Sequence, residues 1–253
     1  MGLLIDMRGG GVLRSPVCGF IAASTAAPFV STDFFGANLI HCYDPGGANF
    51  VDPGDGNALP TWHDEVGTDN PTNTTGTKQL VYRASVANLN NRPALQGDGI
   101  DDVLQVTLAA AIPLPFSIIT VVDVVSLGAV DVAVCHGDNT HKNRSVGSNT
   151  LSKWAIHNGG TAAVSGTAVA VGGHLTATEF ISGTDVLEVD GTVEISSDTG
   201  SDTCDRIALG ANAQNTRYYC DWRIALVMVL DTPARAHADW AAFEAAANTH
   251  FGL

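Results

Sequence analysis

The chain has 253 residues, 45% of them apolar and only 15% charged, and it carries a formal net charge of −14. A chain of this length buries its own core, and this composition excludes a disordered protein. The negative charge repels phosphate backbones and anionic headgroups, so nucleic acid and membrane are excluded as partners.

Residues 1–37 read as an N-terminal arm. Gly9-Gly10-Gly11 is a hinge, and Pro16 and Pro28 interrupt regular structure. Leu3, Leu4, Ile5, Leu13 and Phe20 are apolar with no period of their own. They bury only against the domain or a neighbouring chain, so we take them as assembly contacts. Residues 17–30 are diluted by Gly19, Ser24, Thr25 and Pro28, which argues against a cleaved signal peptide. Synthesis in the cytoplasm without secretion is the expectation.

Strand signals begin at Asn38, and with no break in composition after it the chain reads as one domain over 38–253. Asp52-Pro53-Gly54-Asp55-Gly56-Asn57 is a loop, and 67–77 is a polar loop. Residues 116–125 are nearly all β-branched or aromatic, the pattern of a buried central strand, and 130–135 supplies its neighbour. Further strands are expected over 153–157, 174–181 and 186–195, the last folded at a hairpin turn, Asp190-Gly191. Over 218–230, alternation places Ile224, Leu226, Met228 and Leu230 on one face. Asp231-Thr232-Pro233 then reads as a helix start. Ala236, Trp240, Phe243 and Ala247 follow at helical spacing, and Gly252 closes the helix.

The chemistry is weighed next. Glu188, Asp190 and Glu194 approach a glycosidase spacing, but the two-residue turn puts Val189 opposite Thr192 and Glu188 opposite Val193. The two glutamates then leave different faces and cannot reach the ~5 Å of a retaining pair. No G-x-S-x-G, phosphate loop or dinucleotide motif is present, so the chain is read as not an enzyme. Asp98, Asp101 and Asp102 offer oxygen ligands to Ca2+, with backbone-bonding turn acids as the alternative; no other cofactor is expected. His136 and His141 flank a loop and read as solvent-exposed. A glycan would use exposed aromatics, for which Trp154, Tyr218 and Tyr219 are the candidates, whereas Trp62, Trp222 and Trp240 fall in core patterns. The five cysteines read as free thiols, with Cys204–Cys220 the one pair considered for bridging.

The stretch Arg92-Pro93-Ala94-Leu95-Gln96-Gly97-Asp98-Gly99-Ile100-Asp101-Asp102-Val103-Leu104 resembles a segment of concanavalin A-like jelly-roll domains of the laminin-G-like type. Gly97 stands where that family has an aromatic and Val103 where it has a tyrosine, so another group must fill the first space. His41-Cys42-Tyr43-Asp44, the Trp62-His63-Asp64 strand, Leu187-Glu188-Val189-Asp190-Gly191 and Ile207-Ala208-Leu209-Gly210 follow the family's order. The resemblance implies an all-β, two-sheet antiparallel jelly-roll sandwich with a C-terminal α-helix. The family is common in virion proteins of tailed bacteriophages and in secreted lectins and glycosidases. The expectation is a virion structural or adhesion protein, a homo-oligomer such as a trimer. Its partners would be other virion proteins and host surface glycans, with a stand-alone lectin module as the alternative and a glycoside hydrolase as the third reading.

Overall fold

The computed structural model describes residues 29–128, 130–137, 143–211 and 218–253. In chain order the strands are β1 (Leu39–Tyr43), β2 (Val81–Val86), β3 (Arg92–Gln96), β4 (Leu104–Ile112) and β5 (Phe116–Val124). They continue with β6 (Val132–His136), β7 (Val146–Gly147), β8 (Lys153–Ile156), β9 (Ala163–Ala168) and β10 (Gly172–Phe180). The last are β11 (Asp185–Val189), β12 (Thr192–Ser197), β13 (Cys204–Leu209) and β14 (Arg223–Leu230), followed by the α-helix α1 (Trp240–Phe251). Leu3, Leu4, Ile5, Leu13, Phe20, Cys18 and His141 lie outside the described residues.

Strand β5 explains the architecture. All nine of its residues are buried. Phe116, Ile118, Val122 and Val124 enter one apolar cluster, and Ile119 and Val121 enter another. A strand covered on both faces needs apolar residues in both registers, hence the continuous run. It lies in an eight-stranded antiparallel sheet, β12-β11-β10-β5-β14-β3-β2, with β1 also on β14. A second sheet, β4-β13-β6-β7, covers one face, and the β8-β9 hairpin adds Trp154 and Ile156 to the core between them. Helix α1 covers the other face through Trp240, Phe243, Ala247 and Phe251. The fold is the expected two-sheet antiparallel sandwich with a C-terminal helix.

Four local expectations are corrected. Ile224 does not share a face with Leu226, Met228 and Leu230, because the register of β14 on β5 shifts between Ile224 and Leu226. Ile224 therefore enters the inter-sheet core while the other three face α1. The helix does not start at Asp231. Residues 231–239 dock instead: Ala234 N donates to Ser117 Oγ (2.9 Å), which donates to Thr232 O (2.7 Å). Arg235 in that segment pairs with Glu188 at 2.9 Å and Glu179 at 3.7 Å. Residues 29–37, expected in the arm, pack on the domain. Phe34 and Phe35 lie 5.4 and 5.2 Å from the Phe243 ring, and Phe35 N donates to Asp239 Oδ2 (3.0 Å). Residues 59–64 form no regular strand either. They make an isolated bridge at Thr61, with Trp62 buried and Asp64 held by His41 Nδ1 (2.6 Å) and Cys42 N (3.0 Å).

The Asp190-Gly191 hairpin forms as expected, with Val189 opposite Thr192 and Glu188 opposite Val193. Asp190 also accepts from Leu175 N and pairs with His174 at 2.7 Å. Burial pulls the His174 pKa down, but the Asp190 carboxylate outweighs it and the net shift is upward. The described cysteines Cys42, Cys135, Cys204 and Cys220 are buried thiols outside any disulfide. Burial raises the thiol pKa of Cys42, Cys204 and Cys220, which keeps them protonated and unreactive. His136, expected in solvent, is fully buried between Phe116 and Phe180.

Candidate functional site

The antiparallel registers gather several loops at one end of the sandwich. Val124 pairs with Gly172, Arg223 with both Asp123 and Gln96, and Val132 with Gly147. The loops after β3, β5 and β7, and those before β10 and β14, therefore share that end. Between three of them lies a cavity of about 430 Å³ lined by Asp98, Gly99, Ser126, Gly128, Val130, Asp131, Tyr218, Tyr219 and Asp221. This is the size range of small-molecule sites.

Each wall is held by its own backbone chemistry. Asp98 Oδ1 accepts from Ile100 N (2.8 Å) and Asp101 N (3.2 Å), and Asp102 Oδ2 accepts from Asp98 N (3.0 Å). Gly99 has φ +74, a conformation open to glycine at little cost. On the second wall, Asp131 Oδ2 accepts from Gly128 N (2.7 Å) and Ser148 Oγ (3.3 Å). On the third, Asp221 Oδ2 accepts from Ser126 Oγ (2.7 Å), and Trp222 Nε1 donates to Ser126 O (3.0 Å). Val132 N donates to Tyr218 O (3.1 Å), and Tyr218 sits at φ +63 with Arg144 Cζ 5.9 Å from its ring centroid. Ile100 and Leu127, each next in sequence to lining residues, are exposed.

The sequence candidates fare differently. Asp98, Tyr218 and Tyr219 converge on this cavity from positions some 120 residues apart. Trp154 does not: it is 2% exposed, edge-on to Trp222 (5.9 Å) and His174 (5.3 Å). The β8-β9 hairpin folds its indole inward, so Trp154 is a core residue and is withdrawn as a glycan contact. Asp131 and Asp221 were missed. Their only sequence signal was an acid beside a turn, and that signal is common.

Asp98, Asp101 and Asp102 place ligand oxygens within 4.8 Å of one another. Both readings of these acids apply at once. One oxygen each of Asp98 and Asp102 is used by the turn, and Asp101 lies 3.3 Å from Lys78 Nζ. The remaining oxygens suit a hard cation such as Ca2+. Burial, then the Asp98 and Asp101 charges, push the Asp102 pKa up to about 6. Burial and then Asp221 also raise that of Asp131.

A raised carboxyl pKa stabilises the fold below the unfolded value of about 3.9, and this stability is lost as pH rises through the folded value of about 6. Asp102→Asn is therefore expected to stabilise the protein at pH 7.5 by on the order of 1 kcal/mol and to have little effect at pH 4. Urea melts at the two pH values check this. An equal effect at both would remove the ionic explanation.

A second cavity of about 440 Å³ is lined by Ser31, Asp44, Gly46, Asn49 and Glu65 among others. Its acids are occupied at their own loops. Asp44 accepts from Ser31 Oγ and Gly46 N, both at 2.7 Å, and Glu65 accepts from Asn49 N (2.9 Å). Among the described residues its lining holds no tyrosine or tryptophan, and we place the candidate site at the loop end.

No protein-family model matches the chain, and no curated protein matches it. Solved structures do. A Trypanosoma rangeli sialidase in complex with the inhibitor DANA superposes with a TM-score of 0.55 at 11% identity, over 90% of this chain and 35% of that one. The same sialidase in complex with sialic acid gives 0.56 at 12% identity, over 85% and 33%. The binding domain of Paraclostridial Mosquitocidal Protein 1 gives 0.57 at 12% identity, over 84% and 52%. The chain spans about a third of the sialidases' length. These likenesses show the fold, a β-sandwich of the concanavalin A-like class. They also correct one exclusion drawn from the sequence. The chain was read as not an enzyme, yet its fold is similar to about a third of a sialidase chain, so that exclusion is withdrawn.

Proposed function

We propose that the domain is a carbohydrate-binding module that takes saccharides at the loop end of the sandwich. The observation that carries this is the convergence of two tyrosines and three carboxylates on one cavity of about 430 Å³. Sugars present hydroxyls and apolar C–H faces, which carboxylates and aromatic rings complement. The fold likeness to a sialidase in complex with sialic acid supports the same reading. Titrating a panel of oligosaccharides while following the Tyr218 and Tyr219 resonances tests it. Tyr219→Ala is expected to weaken binding by about tenfold. Binding that ignores this substitution would move the site elsewhere.

The setting we propose is a bacteriophage virion, where the module serves as a structural or adhesion component beside other virion proteins or copies of itself. Its support is the family resemblance of residues 92–104 and the apolar residues Leu3, Leu4, Ile5, Leu13 and Phe20 of the arm. Deletion of residues 1–28 leaves Phe29, Phe34 and Phe35 on the domain. The truncated protein is expected to melt cooperatively yet lose its assembly, read by sedimentation and by virion incorporation. Unchanged assembly would take away the role of the arm. In the same loop we propose Ca2+ as the cation for Asp98, Asp101 and Asp102, visible as a rise in Tm over a chelated sample.

A further inference from the structure

We infer that the cavity selects saccharides bearing a free amino group over neutral and acidic ones; this rests on the carbohydrate-binding reading. Three carboxylates, Asp98, Asp131 and Asp221, line it, and no lysine or arginine does among the described residues. Asp101 and Asp102 add two acids on the same loop as Asp98. Beside these residues Lys78 pairs with Asp101, and Arg144, over the Tyr218 ring and outside the lining, donates to Ser148 O. Asp221 and Asp131 each use Oδ2 for the loop, and Asp98 uses Oδ1. Their other oxygens have no hydrogen bond to the described residues and remain for a ligand.

An ammonium group offers three donors to such oxygens, and charge-assisted bonds of this kind are about twice as strong as neutral ones. An N-acetylated sugar lacks that charge. A sugar acid brings a carboxylate into a field already set by the lining and by the net charge of −14. The two tyrosines in the lining then distinguish an amino sugar from a bare amine, since an aromatic ring complements the C–H surface of a pyranose. Selectivity therefore runs opposite to the sialic acid held by the structurally similar sialidase.

The test is calorimetry on the full chain at pH 6.5 with a chelator present. Its probes are a glucosamine tetramer, the fully N-acetylated tetramer, sialyllactose and a tetralysine peptide. The amine tetramer is expected to bind about tenfold tighter than its N-acetylated form. That ratio should shrink at raised salt, and Asp221→Asn should bring the two affinities together. Equal affinities for the two tetramers in the unmodified protein would overturn the selectivity and leave the module reading intact. So would tighter binding of sialyllactose. Tetralysine binding as tightly as the amine tetramer would overturn the sugar as occupant. If none of the saccharides bound, the module reading itself would fall.

Discussion

Gly97→Ala is expected to lower the unfolding free energy by about 2–3 kcal/mol, the range of overpacking a tight site. A Cβ at Gly97 would lie 2.2 Å from the Cys220 carbonyl oxygen and 3.5 Å from Leu80 Cδ2. The first of these is backbone and cannot rotate away. Gly97 N donates to Trp222 O (3.4 Å), so the loop after β3 and the segment before β14 are locked together at this point. Here too is the answer to the missing aromatic: the backbone at Cys220 occupies the space that the family resemblance assigns to a ring. The same shift would displace Tyr219 and Asp221, so the variant should lose saccharide binding along with stability. Denaturant melts and the calorimetric titration read the two effects. A variant as stable as the parent would show that the 218–222 segment yields easily, and the cavity could not then be preorganised.

The second large effect is acid destabilisation through His136. Its ring is fully buried, Nδ1 within 2.8 Å of Ser145 Oγ and Nε2 within 3.0 Å of Asn158 Oδ1. Burial lowers its pKa to about 4, against smaller upward pulls from Asn158 and Asp202 and a downward one from His157. The unfolded chain takes up this proton near pH 6.5, the folded one only near pH 4. Stability is thus whole above pH 6.5 and falls as pH drops through that window, by roughly 3 kcal/mol when both forms are protonated. His250, lowered to about 4 by burial and Arg92, adds the same sign. Asp102 and Asp131, both raised, act in the opposite sense over part of the range, so the bulk melt reports a sum. The resolving measurement is nitrogen NMR of the imidazole, which should stay neutral down to about pH 4. Titration near 6.5 would mean that water reaches the ring.

What the sequence by itself determined is what local or strictly periodic patterns encode. The run over 116–125 had to be a strand buried on both sides, because no half-exposed strand carries apolar residues in both registers. Asp190-Gly191 had to be a tight turn, since both residues tolerate the positive φ found there (+49 and +76). Gly252 ended the helix for the same reason, at φ +71. Tertiary structure decided the rest. The Asp231-Thr232-Pro233 start was locally sound, but Ser117 and the Glu179–Glu188 pair drew the chain onto the sheet and delayed the helix to Trp240. A register shift near Ala225, silent in the composition of β14, sent Ile224 to the opposite face. The candidate site belongs to this second class. Asp98, Asp131 and Tyr219 share no spacing that a linear reading detects. Their meeting follows from antiparallel registers that bring the loops after β3 and β5 and the segment before β14 to one end, and the same packing turned Trp154 into the core.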